Sequence, residues 1–282
     1  MSNDTSLYLE CSSGISGDMF VAAMLDLGAD KNVLQKVLDS MPLHGFTTEI
    51  STVKKNGLEA TDFNVILDRD HENHDHDMDY LYGHDVPLSE NGCPDHDHSH
   101  VHVHRTLKDI YDIIDRTQMS SGSAVIARHI FSILGAAEAE AHGTSAENVH
   151  FHEIGAVDSI ADIISAAVCF DNLNIEKVII PVLCEGTGRI RCAHGILPVP
   201  VPAVVNIVKA NGLNLHIMES DGEHVTPTGA AIAAALKTSD RLPSSFRIIS
   251  TGTGAGKRTY PDSCILRAML IEESDIPDIR KI

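Results

Sequence analysis

The sequence predicts an α+β fold, with mixed sheets and packed helices, and an α/β arrangement as the alternative. Helical-period and alternating segments are intermixed along the chain. The strands come partly as neighbouring pairs rather than singly between helices, which favours α+β over a doubly wound sheet. A stretch from 69 to 104 has no apolar period at all and interrupts the pattern. With 282 residues at 43% hydrophobic content, the rest can bury a substantial core.

The elements follow in order. "LYLECSS" reads as a strand, and "SGDMFVAAMLDLGAD" as a helix with apolar residues at helical spacing and a glycine near its end. A second helix, "KNVLQKVLDSM", stops at Pro42, and residues 45 to 68 alternate as a hairpin turning at "KKNG". Together residues 1–68 make an N-terminal α/β portion. Residues 69–104 form a histidine-rich, flexible insert. Residues 105–282 form the main α+β portion. There, "TLKDIYDIIDRTQM" and "SAVIARHIFSILGAAEAEAHG" read as helices, and the extended "NVHFHEIG" leads into the helix "VDSIADIISAAVCFDNL". "KVIIPVLCEG" reads as one strand, followed by a turn at "GTGR" and a second strand. "VPAVVNIVKANG" and "TPTGAAIAAALKT" are short helices, the second with proline in its first turn. "FRIISTGTGAGKR" and "CILRAMLIEES" close the chain as two strands around a glycine-rich connection.

Charge narrows the partners. A net charge of −19 repels phosphate backbones and anionic membranes, no basic stripe is interleaved with aromatics, and no apolar run reaches the ~18 residues of a bilayer span. Neither nucleic acid nor membrane is expected; divalent cations are the natural partners. Six cysteines without a C-x-x-C pair, behind an N-terminus lacking a leader pattern, point to the reducing cytoplasm.

Several segments carry candidate chemistry. In "SSGISGDMF" the strand-to-helix turn offers backbone N–H groups, hydroxyls and Asp18 to an anion, or else Ser16 is a helix cap and Asp18 complements the dipole. In "VHFHEIGAVDSIAD", His150 and His152 project to one side of an extended segment, and Asp158 and Asp162 share a helix face. With Glu153 they make a ligand set for a borderline divalent metal; the alternative has Asp158 capping the helix and His150 on the surface. In "CEGTGRIRCAHG", Cys184 and Cys192 flank the turn. Cys192 and His194 face one way and suit a soft metal or a sulfur-containing substrate, while Arg189 suits a phosphate or carboxylate. Cys192 as a plain buried cysteine is the competing reading. Thr226 and Thr228 open a helix and offer a further anion site, or a simple cap. "GTGAGKR" fails the phosphate-loop pattern, because Thr251 stands where its first glycine belongs and Arg258 where its Ser or Thr belongs. A tight hairpin connection is expected there. Within the insert, His71, His74 and His76 sit among carboxylates, and His96, His98, His100, His102 and His104 alternate. Such a chain chelates divalent metals in many interchangeable geometries, as a reservoir rather than a fixed site.

The opening "LYLECSSGISGDMFVAAMLDLGAD", with "VHFHEIGAVDSIADI", "CAHGILPVPVPA", "TPTGAA" and "GTGAGKR", resembles the LarC family in order and spacing, along almost the whole chain outside the insert. The resemblance implies a nickel insertase, a lyase-type metal chelatase. It implies pyridinium-3,5-bisthiocarboxylic acid mononucleotide as substrate, with Ni²⁺ installed through one metal–carbon and two metal–sulfur bonds and CTP consumed. By motif match, His150, His152, Glu153 and Asp158 become candidates for metal handling or proton removal, and Ser13, Ser16 and Thr228 for the substrate phosphate. Full-length members continue through a C-terminal domain to which CTP with a divalent cation, and oligomerisation, belong. That domain lies beyond Ile282, so a separate C-terminal LarC polypeptide is an expected partner and lactate racemase apoprotein the downstream recipient. A non-catalytic nickel storage or delivery protein is the alternative.

Overall fold

The computed structural model describes residues 5–68, 105–145, 155–192, 195–258, 260 and 263–274. Ten strands and seven helices are present among them: β1 Thr5–Glu10, α1 Gly17–Leu27, α2 Lys31–Asp39, β2 Phe46–Lys55, β3 Leu58–Leu67, α3 Leu107–Arg116, α4 Ser121–His142, α5 Val157–Leu173, β4 Lys177–Ile179, β5 Leu183–Thr187, β6 Arg189–Cys192, β7 Gly195–Pro198, α6 Pro202–Asn211, β8 Leu215–Asp221, α7 Pro227–Leu236, β9 Phe246–Ala255 and β10 Ile265–Glu273. A six-stranded sheet in the order β2-β3-β9-β10-β1-β4 mixes antiparallel pairs with parallel β3–β9 and β1–β4 pairs. The α+β class is therefore borne out. This sheet takes strands from both sides of residues 69–104, and two small sheets, β5–β8 and β6–β7, stand apart from it.

Helix α1 lies directly on β9. Its buried face, from Met19 to Met24, has no polar interruption, and the strand beneath supplies glycines where the helix backbone comes closest. A Cβ at Gly254 would stand 2.0 Å from the Met19 carbonyl oxygen, and one at Gly252 would stand 2.3 Å from that of Ala23. The "GTGA" run is accordingly the end of a strand rather than the expected connection, and its glycines serve helix packing. Behind α1, α5 is apolar nearly all round and buried, as a central helix must be, with α4 packed on it. Helices α6 and α7 then cover α4.

Two strand expectations differ from the structure, and a further strand carries no clear sequence signal. "KVIIPVLCEG" splits at Pro181, which has no N–H for a ladder: β4 pairs with β1, while β5 joins β8 in a second sheet. The two strands around "GTGR" do not pair with each other; β6 forms its hairpin with β7 instead. Strand β8 was not anticipated, because "LHIMESD" alternates only weakly and its apolar members remain partly exposed. The "NVHFHEIG" piece lies almost wholly outside the described residues. Among the described residues no helix is long and apolar enough to cross a membrane.

Gly254→Ala should destabilise the fold by about 1–3 kcal/mol, since the added methyl must displace helix backbone rather than a flexible side chain. Urea unfolding of the variant beside the parent protein measures this.

Candidate active site

Four helices begin around one cavity of about 560 Å³: α1 at Gly17, α5 near Asp158, α6 at Pro202 and α7 at Pro227. Proline in the first turn of α6 and α7 costs nothing there, since the N–H it lacks would have no partner within the helix. Thr226 caps α7, its hydroxyl accepting from the Gly229 N–H at 3.1 Å. The starts of α1, α5 and α6 have no side-chain cap. Ser16 holds the cap position of α1, but its hydroxyl donates to the Asp18 carboxylate instead. The cavity thus receives the positive ends of four helix dipoles, a setting that favours a bound anion.

Carboxylates line the same wall. Asp158 and Asp162, one turn apart on α5 as their spacing requires, both border the cavity with Asp18. Gly17 makes the close approach of α1 and α5 feasible, because a Cβ there would lie 2.9 Å from Asp162 Oδ2 and 3.0 Å from Thr228 Cγ2. Burial pushes the Asp162 carboxyl well above the usual carboxylate range, and the charges of Asp18 and Asp158 push it further, against the pull of Lys257. Burial also raises Asp18, opposed first by the Ser16 hydroxyl and then by Lys257. A cation entering here relieves that repulsion and draws the carboxyls into their charged form.

The remaining wall mixes cations, sulfur and aromatic rings. Lys257 pairs with Asp62 of β3 at 2.6 Å, and Arg258 forms a buried ion pair with Glu223 at 2.7 Å. Burial works against the Arg258 charge, but Glu223 and then Tyr260 override it and hold the guanidinium more firmly protonated than usual. Cys192 of β6 and the buried Cys264, just before β10, also border the cavity. On α4, Glu138 and His142 reach it one helical turn apart, 3.6 Å from each other.

The cavity brings together seven residues named from sequence: Ser16, Asp18, Asp158, Asp162, Cys192, Thr226 at the cap of α7 and Thr228 in its first turn. Ser13 is buried in the turn before α1, and Arg189 is exposed on β6; neither borders the cavity. His150, His152, Glu153, His194 and the histidines of 69–104 lie outside the described residues. Among the described residues no group of three or more His, Cys, Asp or Glu side chains is arranged to hold a metal ion. Sequence reasoning missed Glu138, His142, Glu223, His224 and Tyr260. The first pair reads as the polar side of an amphipathic helix. Glu223 and His224, by contrast, carried a signal in standing within three residues of the Thr-Pro-Thr-Gly helix start at Thr226.

Glu185 sets the shape of this wall from behind. It is fully buried on β5, and its Oε1 accepts from the backbone N–H groups of His224 (2.7 Å), Gly186 (2.8 Å) and Val225 (3.1 Å). Its Oε2 has no hydrogen-bond partner among the described residues. Burial pushes this carboxyl up to about 7, against the three N–H donors.

Fold and cavity together define an α+β protein whose acidic, partly enclosed site suits a cation and an anionic small molecule side by side. The chain belongs to the nickel insertion protein family, whose pattern matches residues 7–281. It is 52% identical over 275 residues to a pyridinium-3,5-bisthiocarboxylic acid mononucleotide nickel insertion protein of Alkaliphilus metalliredigens, covering 97% of this chain and 62% of that protein. Proteins of the same description from Clostridium acetobutylicum (40% identity; 97% of this chain, 65% of that protein) and Geobacillus kaustophilus (39%; 96% and 60%) are also similar. The chain thus spans less than two thirds of the length of these relatives. No solved structure matches it.

Glu185 gives the fold a pH dependence of known sign. Its folded value, about 7, exceeds the ordinary 4.5, so the native state keeps the proton longer than the unfolded chain. The stability that this group contributes is full below pH 4.5 and is lost as pH rises through 7, by up to about 3 kcal/mol. Glu185→Gln should flatten that part of a urea-unfolding profile recorded between pH 4.5 and 8.

Proposed function

We propose that this chain provides the site at which nickel is inserted into pyridinium-3,5-bisthiocarboxylic acid mononucleotide during maturation of the lactate racemase cofactor. The observation that carries the reading is the cavity where Asp18, Asp158 and Asp162 meet four helix N-termini, in a chain that shares its family across nearly its whole length. A substrate bearing a phosphate, two thiocarboxylates and a cationic ring needs anion recognition and negative charge within one enclosure, and both are present.

In this reading the phosphate sits at the starts of α1 and α7, contacting Ser16, Thr226 and Thr228, with Lys257 nearby. Asp158 and Asp162 supply oxygen ligands to the incoming Ni²⁺, and His150 and His152 complete an exchangeable N/O set from the preceding segment. Cys192, with His194, offers soft donors toward the metal or the substrate's sulfurs. Insertion replaces the ring C–H bond by a Ni–C bond and adds two Ni–S bonds, so one proton must leave the ring carbon. His150, His152, Glu153 or Asp158 accepts it. Ser13 and Arg189 stand outside the cavity and have no contact with substrate in this reading. The insert, with His71, His74, His76, His96, His98, His100, His102 and His104, raises the local supply of Ni²⁺. CTP with its divalent cation is bound by the C-terminal part of the family, the racemase apoprotein receives the product, and the reaction takes place in the cytoplasm. Oligomerisation belongs with that same C-terminal part.

The test is a coupled assay with substrate, Ni²⁺, CTP, the C-terminal part of the family and racemase apoprotein. Asp162→Asn should lower racemase activation at least about a hundredfold with the fold intact, because it removes a charge that holds the metal beside the reacting carbon. Deleting residues 69–104 should leave activation intact at excess Ni²⁺ and weaken it only when nickel is scarce. Loss of all activity on deletion, despite excess nickel and an intact fold, favours the storage or delivery reading.

A further inference from the structure

The aromatic part of the cavity wall is held by stacking and by hydrogen bonds at its polar edges. His224 and Tyr260 stack with ring centroids 3.9 Å apart and planes 20° from parallel, and both border the cavity. His224 is held on several sides. Its N–H donates to Glu185, its carbonyl oxygen accepts from the Ile15 N–H at 2.9 Å, and its Nε2 lies 3.0 Å from the Ser220 hydroxyl. The Tyr260 hydroxyl donates to the Glu223 carbonyl oxygen at 2.8 Å and accepts from Arg258 at 3.3 Å. Its ring also occupies the space a side chain would need at Gly222, where φ is +102° and a Cβ would stand 2.9 Å from the ring.

With the polar edges of both rings bonded to the wall and one face of Tyr260 taken by His224, the other face of Tyr260 is the one open to a stacking ligand in the cavity that both rings border. His224 is only 3% exposed while Tyr260 is half-buried, so Tyr260 is the outer ring. An electron-rich phenol face attracts a cation, and Asp18, Asp158 and Asp162 give the same enclosure a negative bias. A neutral ring would gain the stacking but not the electrostatic part.

We propose that the His224–Tyr260 pair is a shelf for a planar cationic heteroaromatic ring, and that the substrate's pyridinium lies against Tyr260 while its phosphate faces the helix starts. This rests on the reading of the cavity as the nickel-insertion site, and it makes Tyr260 the residue that selects a pyridinium over a neutral ring. A pyridinium carries its charge at every pH, so the selection needs no titrating partner.

Calorimetric titration of the 282-residue chain tests this with two probes. One is the pyridinium-3-carboxylate mononucleotide; the other is its C-riboside analogue with a neutral benzoate ring. The parent protein should bind the cationic probe about tenfold more tightly than the neutral one. Tyr260→Phe, which keeps the ring, should retain that preference. Tyr260→Leu should weaken the cationic probe by about tenfold and abolish the preference. Equal binding of the two probes by the parent protein overturns the shelf, and this comparison stands even where Tyr260→Leu fails to fold. Unchanged cationic binding by a folded Tyr260→Leu protein also overturns it, while leaving the cavity's assignment in place. Refusal of both probes by the parent protein overturns the cavity's assignment and the shelf with it.

Discussion

The close approach of the turn after β1 to the segment before α7 is the constraint on which the site depends. The Ile15 N–H donates to the His224 carbonyl oxygen at 2.9 Å, and the Thr226 N–H returns to the Ile15 carbonyl oxygen at 3.1 Å. That two-way pairing joins residues more than two hundred positions apart and sets α1 and α7 to start side by side. It tolerates no added bulk: a Cβ at Gly229 would lie 2.1 Å from the Ile15 oxygen. Gly17 fulfils the same condition toward α5. The absence of a side chain at these glycines, which meet backbone at Gly229 and the Asp162 and Thr228 side chains at Gly17, lets the starts of α1, α5 and α7 share one enclosure.

The electrostatics of the enclosure follow from that crowding. Four helix starts favour an anion, yet three carboxylates occupy the same wall, and their mutual repulsion with burial lifts Asp162 well above its usual range. Neither feature is satisfied alone. A bound anion together with a divalent cation meets both at once. The buried Glu185 serves a different purpose. It gathers three backbone N–H groups and thereby fixes the orientation of the wall that carries Glu223 and His224.

Much of the fold was legible. The amphipathic helices, the hairpin at 54–57 and the α+β class follow from apolar period and turn residues, which act locally. Asp158 and Asp162 could be placed on one face, and Thr226 at a helix start, because both are consequences of 3.6-residue geometry. The role of "GTGAGKR" was not legible, since glycines that admit a helix look the same in one dimension as glycines that form a loop. Strand β8 and the split at Pro181 depend on which sheet receives each segment, a choice made by partners distant in the chain.

By itself the sequence determined the element types, the acidic character and, through its motifs, the family, because each is written in local pattern and composition. Only the tertiary structure decided that Asp18, Asp162, Lys257 and the His224–Tyr260 pair share one cavity. Convergence of that kind depends on long-range backbone pairing and close helix contacts, and no periodicity along the chain encodes the distance between residues 18, 162 and 260.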